Sequence, residues 1–465
     1  HNPLTGWVLY ASMGVDAADF WAQYDHMYIP ELGHNVSVTD YAHTLYIRAS
    51  WTDFNPQEDV YGWKIDSNLR AYIEGAYQRN MRLAFRVVVD SRDKRTEFTP
   101  QFVKDAGAKG FMNKGKWSPY SDDSVFQKYY TKFVKALAKD FNDPSKVEFI
   151  DGFGLGKWGE YHTMIYSTGD DTPKKAVFDW VTDIYSQAFD KVPVVINYHR
   201  WIGAGKDWVD DEHFAADSEE MLEEAIKKGY SLRHDAFGMT TYYGSWERRF
   251  AKKYRNICPI IMEGGWIVKS HSYWQDPRGY RKDSHEDVRR GEFDDSKEAH
   301  VNMMDFRFGD TKSWFKDAFD LVRRFLREGG YRLYPSEISL PLEVSKKTTP
   351  TIKHCWNNLG WGYCPTNIPQ WNQKYKVAFA LLDSETNEVR YTFVDTDTDL
   401  SKWIKGSPAE YVFEPDMSKV ETGTYVWAVG LVDRSNKDLI GLDIAAKGDI
   451  LDSGWLKLSK VSIKK

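Results

Sequence analysis

The stretch VEFIDGFGLGKWGEYHT, residues 147–163, runs from an apolar strand pattern through a glycine-rich turn to a group of aromatic, acidic and histidine side chains. Gly154, Gly156 and Gly159 have the G-x-G-x-x-G spacing of a dinucleotide-binding turn. Such a turn follows the first strand of its unit and opens directly into a helix. It also precedes, by about 20 residues, an acidic residue at the end of the next strand.

The surroundings of this turn favour a different interpretation. Three strand-and-helix patterns precede it, Trp158 lies inside it, and the acid at about the required distance, Asp179, falls within the helical pattern AVFDWVTDIY. We therefore interpret the glycines as residues that let the backbone pack tightly and that bring Glu160 to the carboxyl end of the fourth strand.

Eight apolar strand patterns alternate with amphipathic helical patterns up to about residue 330. In helical patterns such as 124–141, apolar residues recur at intervals of three and four. Eight strand-helix units with almost continuously apolar strands predict a closed parallel barrel, the (β/α)8 or TIM-barrel fold of the α/β class. The strands are predicted at 6–12, 44–50, 82–89, 147–156, 192–199, 234–243, 258–265 and 300–308.

The pattern changes after Gly330. Short strand patterns then alternate with turn clusters and helical patterns end, which is typical of an antiparallel β-sandwich. The predicted domains are a barrel catalytic domain at 1–331 and a β-sandwich domain at 332–465. The charged and aromatic segment 267–299 is expected to form a long excursion between strands seven and eight, on the functional face of the barrel.

The composition excludes several classes of partner. The chain is 42% hydrophobic and 28% charged, and it has no apolar run long enough to span a bilayer. A net charge of -6 without a block rich in Lys or Arg argues against nucleic acid, because phosphate binding needs clustered cations. The high aromatic content, 15%, suits a ligand with apolar faces and hydroxyl edges, such as a sugar.

No motif predicts a metal or an organic cofactor. The segment DTDTD, 395–399, alternates carboxylates like a calcium loop, but Leu400 stands where the turn glycine belongs, so a solvated loop is the better interpretation. Cys355 and Cys364 either close a small loop as a disulfide or remain two thiols, and Cys258 lies beside a buried strand.

Two glutamates lie at the strand ends where the catalytic groups of such barrels collect. Glu160 follows the fourth strand, and Glu263 leaves the seventh strand on the opposite wall. Two facing carboxyl groups are the minimal equipment for glycoside hydrolysis, in which one protonates the leaving oxygen and the other meets the anomeric carbon. We expect Arg48 to keep Glu263 ionised, and desolvation beside Trp158 and Tyr161 to keep Glu160 protonated.

These glutamates and the second βα loop, LYIRASWTDFNPQEDVYGWKID, resemble the superfamily of retaining (β/α)8-barrel glycosidases, in particular its β-galactosidase-like branch. NPLTGWVLYA, KWGEYHT and DLSKWIKG are also similar to bacterial barrel-plus-sandwich proteins of largely uncharacterised function. The resemblance implies that Glu160 is the acid/base and Glu263 the nucleophile. Many members place Asn before the acid/base, where this chain has Gly159. The usual contact to the substrate 2-hydroxyl is then either missing or supplied by another residue, for which Asn197 and His199 are the candidates.

Further side chains near the predicted strand ends are candidates for substrate binding. Each has a structural alternative, since arginines form ion pairs, histidines are satisfied inside barrels, and tryptophans pack in cores. Strand alternation lets only one of the two adjacent tyrosines point inward. The candidates are Arg48, Trp51, Arg86, Trp158, His162, Asn197, His199, Trp201, Tyr242, Tyr243 and Trp266.

The sequence thus predicts a retaining glycoside hydrolase that cleaves a β-linked poly- or oligosaccharide without a cofactor. The resemblance implies a secreted, periplasmic or cell-surface location, with any export signal removed or not included ahead of His1. One alternative is a non-catalytic carbohydrate-binding protein on a decayed barrel, which Gly159 favours; another is a barrel hydrolase or lyase for a different linkage. The sugar, the linkage, endo or exo action and the oligomeric state stay open.

Overall fold

The computed structural model describes residues 1–92, 94–239, 242–265 and 285–465. The chain forms two compact units. One comprises Gly6–Leu326, and the other combines Arg327–Lys465 with His1–Thr5. No helix within the described residues has both the length and the apolar character of a membrane span.

The first unit alternates strands with helices, as the sequence pattern indicates. Its strands are β1 (Gly6–Tyr10), β2 (Met27–Ile29), β3 (His34–Val36), β4 (Ala42–Ser50), β5 (Arg82–Val88), β6 (Gly110–Asn113), β7 (Lys116–Pro119), β8 (Val147–Asp151), β9 (Val194–Asn197), β10 (Tyr230–Phe237), β11 (Ile260–Gly264) and β12 (Met303–Asp305). The helices within it and at its end are α1 (Ala17–Asp25), α2 (Trp51–Phe54), α3 (Gly62–Ile65), α4 (Ser67–Gln78), α5 (Gln101–Asp105), α6 (Ser124–Phe141), α7 (Lys174–Ala188), α8 (Glu212–Lys227), α9 (Ser245–Tyr254), α10 (His285–Glu298), α11 (Thr311–Asp317) and α12 (Phe319–Glu328).

Eight of these strands close into a barrel in the order β1-β12-β11-β10-β9-β8-β5-β4. Neighbouring strands are parallel, and β1 closes the ring because it pairs with both β12 and β4. The predicted TIM barrel and its eight strands are confirmed. Their ends differ, and β8 stops at Asp151 instead of 156, because Gly154 and Gly156 take positive φ angles and turn the chain away from the sheet.

The helices follow the predicted apolar spacing. In α6 the Asp123 side chain accepts a hydrogen bond from the Phe126 N–H and caps the helix, and the face that carries Phe133 and Leu137 is buried. The amphipathic pattern SWFKDAFDLVRRFLREGG, residues 313–330, is divided between two helices, α11 and α12. The break lies at Ala318, whose φ of -145° is not helical.

The second unit consists of strands in two sheets. Its strands are β13 (Leu333–Ser339), β14 (Glu343–Ser345), β15 (Ile352–Asn358), β16 (Tyr375–Asp383), β17 (Val389–Asp395), β18 (Ala409–Phe413), β19 (Gly423–Asp433), β20 (Leu439–Leu442) and β21 (Leu456–Lys464). One sheet has the order β13-β15-β18, and the other has the order β14-β21-β19-β16-β17, with β20 paired to β19. Pairing is antiparallel except between β14 and β21.

Aromatic rings join these two sheets. Phe379 of β16 lies 5.1 Å from the His354 ring of β15 and 6.1 Å from the Phe413 ring of β18, measured between centroids. The sheets therefore pack face to face as the predicted sandwich. His354 Nε2 also hydrogen-bonds Asp395 at 2.8 Å, and Asp399 caps the turn that follows it through Ser401. The DTDTD segment is thus held by internal hydrogen bonds instead of being fully solvated.

The cysteines are free thiols, which decides between the two alternatives for Cys355 and Cys364. Burial raises the pKa of the Cys258 and Cys364 thiols. A raised pKa keeps these groups in the unreactive thiol form.

The glycine-rich turn after β8 is packed as the sequence indicates. Gly154 has a φ of 84°, and a Cβ atom there would lie 2.4 Å from the Val87 carbonyl oxygen and 2.5 Å from the Tyr130 hydroxyl. At Gly156 a Cβ would lie 2.9 Å from the His162 backbone nitrogen. Only glycine fits both the left-handed backbone and the close contacts, so these residues shape the loop that carries Glu160.

Gly154→Ala is expected to destabilise the barrel, since its methyl group meets backbone atoms that cannot move aside. Gly169→Ala is the matched control, because Gly169 has a similar φ of 76° with no atom within 4 Å. We expect G154A to lose about 1–3 kcal/mol more unfolding free energy than G169A in urea titrations. Equal losses in the two variants would show that backbone conformation, not packing, selects glycine at this turn.

Candidate active site

Glu160 and Glu263 are both buried at the carboxyl-terminal end of the barrel strands. Glu263 belongs to β11, whereas Glu160 lies in the loop that follows β8. Their residue exposures are 8% and 4%. Burial of a carboxyl group disfavours its charged form unless cations and donors compensate, so the partners of the two glutamates decide their chemistry.

Arg86 of β5 is the partner of Glu160. Its Nη1 donates to Glu160 Oε1 at 2.9 Å, its Nε donates to Asp151 Oδ2 at 2.7 Å, and its Nη2 lies 2.5 Å from Asp235 Oδ2. The guanidinium is fully buried. The charged end of Arg86 is therefore enclosed by the three carboxyl groups that it contacts.

Arg233 of β10 is the partner of Glu263. Its Nη2 donates to Glu263 Oε2 at 2.8 Å and to Asp305 Oδ2 at 3.0 Å, and its Nε donates to Asp235 Oδ1 at 2.8 Å. The Tyr46 ring lies beneath this guanidinium, 4.3 Å from centroid to Cζ. A fully buried arginine on a strand interior thus fixes the seventh-strand glutamate from below.

Burial raises the pKa of most of these acids. Burial and the negative charge of Asp235 raise the pKa of Glu160 well above its usual range, although the positive charge of Arg86 opposes this rise. Burial and Asp235 likewise raise the pKa of Glu263 to about 8, with Arg233 opposing them. Burial raises the pKa of Asp305 to about 6, whereas Arg86 and Arg233 overcome burial at Asp235 and keep its pKa well below the usual value.

These contacts agree with one expectation and overturn another. Desolvation holds a proton on Glu160, as expected, although its close partners are Arg86 and Asp235. Arg48 does not pair with Glu263; its Nη1 donates to the Tyr10 hydroxyl at 3.4 Å. Because burial outweighs the arginine that does reach Glu263, the pKa of this carboxyl group is raised to about 8, whereas the sequence predicts an ionised Glu263.

Two histidines stack behind Glu160. The rings of His162 and His199 are 3.9 Å apart at 12°. The Trp201 N–H donates to His199 Nδ1, so His199 Nε2 carries the proton that it donates to the Glu160 carbonyl at 2.7 Å. Burial lowers the pKa of His199, which keeps the ring neutral. His199 therefore positions the backbone of Glu160 and is not free for a substrate hydroxyl.

His162 lies between three polar groups. Its Nε2 hydrogen-bonds the Tyr242 hydroxyl and lies 3.7 Å from Glu160 Oε2, and its Nδ1 lies 3.2 Å from Asp207 Oδ2. Thr163 Oγ1 donates to the same Asp207 oxygen at 2.6 Å. The ring is fully buried, so it holds Glu160 and Tyr242 in place from behind.

The loop that carries Glu160 has a strained backbone. Trp158, Tyr161 and Thr163 have φ angles of 60°, 65° and 48°, in the left-handed region that non-glycine residues seldom adopt. Each such residue costs about 1–3 kcal/mol, and clusters of them are typical of functional sites. The bonds from Arg86 and His199 to Glu160 hold the loop in this conformation.

The predicted tryptophans separate into different places. Trp51 is fully buried among Phe126 and Tyr130, so the structure does not bring it to the site. Trp201 is also buried, and Arg200 covers its ring at 3.9 Å. Trp158 is half-buried, with its ring 5.6 Å from that of His162. Trp266, and most of the predicted excursion 267–299, lie outside the described residues.

Asn197 and the two tyrosines complete the predicted set. Asn197 Nδ2 donates to Asp235 at 3.2 Å, while its buried Oδ1 has no hydrogen-bond partner among the described residues. Tyr242 turns to His162, whereas the Tyr243 hydroxyl meets that of Tyr198 at 2.8 Å. The two adjacent tyrosines thus face different partners, but both lie beyond the end of β10 at Phe237, so strand alternation is not what separates them.

Several residues of the site are not among those predicted from the sequence. Asp235 and Arg233 lie in the otherwise apolar β10, and the charged run Arg-His-Asp inside a buried strand was the signal for them. Asp151 and Asp305 end their strands, where catalytic groups collect. Trp208 is 54% exposed and lies 4.6 Å from the Tyr242 ring, but nothing in its loop sequence marks it.

Comparison with known proteins gives distant structural similarity. No family model and no curated protein matches the sequence. An endo-β-1,4-mannanase from Thermotoga petrophila is 13% identical with a TM-score of 0.42, and the match covers 100% of this chain and 98% of that one. Endo-glycoceramidase II from Rhodococcus sp. is 13% identical, with a TM-score of 0.39 over 88% and 96% of the two chains. An endoxylanase from Clostridium papyrosolvens is 10% identical, with a TM-score of 0.40 over 89% and 95%.

The raised pKa of Glu263 predicts a pH-dependent stability difference. Its pKa of about 8 exceeds the ordinary value of 4.5, so the fold favours the protonated form, and this stabilisation is lost as the pH rises to about 8. Glu263→Gln remains neutral. The free energy of unfolding of E263Q should equal that of the wild type near pH 4 and exceed it by roughly 2–5 kcal/mol at pH 9.

Chemical denaturation of both proteins across this pH range measures the difference. Glu74→Gln, at an exposed glutamate of α4, is the control for the substitution itself. A difference between E263Q and the wild type that does not change with pH would mean that Glu263 is already ionised in the folded protein at neutral pH.

Proposed function

We propose that this protein is a retaining glycoside hydrolase that cleaves a β-linked oligo- or polysaccharide. The observation that carries the proposal is the pair of buried glutamates, one after β8 and one in β11, at the end of the barrel where catalytic groups of this fold collect. Their different environments suit the two different tasks that the reaction requires.

Glu160 is proposed as the acid/base. Burial and the neighbouring charge of Asp235 keep a proton on it, as a general acid at neutral pH requires. In the first step Glu160 gives this proton to the glycosidic oxygen while the bond from that oxygen to the anomeric carbon breaks. In the second step its carboxylate takes a proton from water, and the water oxygen bonds to the anomeric carbon.

Glu263 is proposed as the nucleophile. Its carboxylate bonds to the anomeric carbon in the first step and leaves as carboxylate in the second, so the product keeps its anomeric configuration. The strand backbone and Arg233 fix its position. Because its pKa is raised to about 8, the ionised form increases with pH, and turnover is expected to rise from pH 6 to pH 8.

The substrate groups that these residues would meet follow from their chemistry. The free Oδ1 of Asn197 is proposed to accept a hydrogen bond from a sugar hydroxyl. Trp158 and Trp208, beside the proposed acid, are proposed to pack against the leaving-group side of the glycan. The motifs shared with bacterial barrel-plus-sandwich proteins favour a secreted, periplasmic or cell-surface location.

A carbohydrate-binding protein without activity is the second candidate. Both glutamates lie in buried ion pairs, Glu160 with Arg86 and Glu263 with Arg233, which is how a structural carboxylate is held. In that case the barrel would bind a glycan with no cleavage over long incubation. Calorimetric titration combined with product analysis separates the two functions.

Glu160→Gln and Glu263→Gln test the assignment at pH 8. A panel of plant, algal and host glycans is first screened for released reducing ends, and the best substrate is then used. E160Q should lower kcat on this glycan by about 10²–10⁴-fold. It should have much less effect on kcat/KM for the glycosyl fluoride of the released sugar, because the leaving group of that substrate needs no proton in the first step. E263Q should lose activity on both, and NMR of the fresh product should show retained configuration.

Each possible outcome tests a different part of the proposal. Binding without cleavage by the wild type would establish the second candidate, and an inverted product would exclude the nucleophilic role of Glu263. Wild-type rates in E263Q would remove the hydrolytic site altogether. Thermal unfolding of both variants confirms that losses of activity are not losses of fold.

Trp208→Ala tests the leaving-group platform. The ring is 54% exposed yet packed on Tyr242 and Trp201, so its removal costs substrate contact and little stability. We expect kcat/KM on the glycan to fall about 5–30-fold, with little change on the glycosyl fluoride. Tyr28→Ala, at a similarly exposed ring in β2, is the control. An equal loss on both substrates would assign Trp208 to the other side of the scissile bond.

A further inference from the structure

Asp235 is a buried carboxylate of the site that lies close to both buried arginines. Its Oδ1 accepts from Arg233 Nε at 2.8 Å, and its Oδ2 accepts from Asn197 Nδ2 at 3.2 Å and lies 2.5 Å from Arg86 Nη2. Its side chain is 4% exposed. Both oxygens are thus engaged by cations or donors from three strands, β5, β9 and β10.

The two arginines that hold Asp235 are the same two that hold the glutamates. Arg86 bridges Asp235 and Glu160, and Arg233 bridges Asp235 and Glu263. We propose that Asp235 is a positioning residue that couples the two glutamates, because its single carboxylate fixes both of the arginines that reach them. The catalytic part of this inference rests on the proposed function, whereas the coupling itself does not.

Asp151 is the other acid that approaches both arginines, and it is placed differently. It accepts from Arg86 at 2.7 Å, but its Oδ2 is 3.8 Å from Arg233 Nε, beyond hydrogen-bond distance. Of the two buried arginines, Asp305 contacts Arg233. Asp235 is therefore the carboxylate, within the described residues, that hydrogen-bonds or ion-pairs closely with both cations.

Charged and titratable groups surround Asp235 on every side. Strands on both flanks supply cations and acids, and two loops add further groups. They are Arg86 from β5, Asp151 from β8, Arg233 and His234 from β10, Glu263 from β11, Asp305 from β12, and Glu160 and Tyr242 from loops.

The protonation of the glutamates supports the coupling. Among the neighbouring charges, Asp235 raises the pKa of Glu160 the most, and the same is true for the pKa of Glu263. Arg86 and Arg233 keep the pKa of Asp235 low, so it stays negative while both neighbours retain protons. One fixed negative charge thus opposes the ionisation of both the proposed acid and the proposed nucleophile.

The test is a pH titration of the glutamate side chains by NMR, with 13C at the carboxyl carbon. The signals of Glu160 and Glu263 are assigned from E160Q and E263Q. In Asp235→Asn we expect both titration midpoints to fall by at least about one pH unit. Asp305→Asn is the matched control. It removes a charge that raises the pKa of Glu263, so it should lower only that midpoint.

Movement of neither midpoint, or of only one, in D235N would overturn the coupling. If D235N does not fold, as judged by circular dichroism, Asp235→Ser leaves space for water at the arginines and carries the same expectation. The titration needs no substrate, so it decides the coupling even if no glycan is cleaved. Where a substrate is known, the pH at which kcat/KM rises should move down with the Glu263 midpoint in D235N.

Discussion

Two buried guanidinium groups face five carboxyl groups at the end of the barrel, and this imbalance governs the site. Were every acid ionised, the cluster would carry a surplus of negative charge where little water can screen it. The lowest-energy arrangement keeps protons on the acids for which the arginines compensate least for the effects of burial. Asp235 lies close to both arginines and stays charged, while Glu160 and Glu263 retain protons. The remaining two acids are Asp151 and Asp305.

The closed barrel is what brings this cluster together. Arg86 and Arg233 come from its third and sixth strands, and the ring places their side chains over one centre with the acids of the strands between and beside them. An open sheet would leave these groups on separate edges. Removing either arginine would leave its buried carboxylates without a counter-charge and would cost about 3–5 kcal/mol of unfolding free energy. The contacts that set the pKa values of the acids therefore also stabilise this end of the barrel.

The sequence predicts the barrel well, because apolar strands and amphipathic helices are local, repeated patterns. It also places Glu160 and Glu263 at strand ends. The pairing of charges is not local. For this reason the sequence predicts Arg48 as the partner of Glu263, whereas in the structure Arg233 is the partner of Glu263. Trp51 looked like a ligand platform for a similar reason, since burial depends on what the following helices cover.

The two glutamates are supported in unequal ways, and the difference follows from the backbone. Glu263 belongs to a strand whose hydrogen bonds fix it on both sides. Asp151 occupies the end of β8, so Glu160 has to reach the cluster from a loop, and left-handed residues such as Trp158 and Tyr161 bend that loop inward. The proposed nucleophile must approach one carbon atom from one direction, whereas the proposed acid must follow a departing oxygen. A rigid strand suits the first task and a tethered loop suits the second.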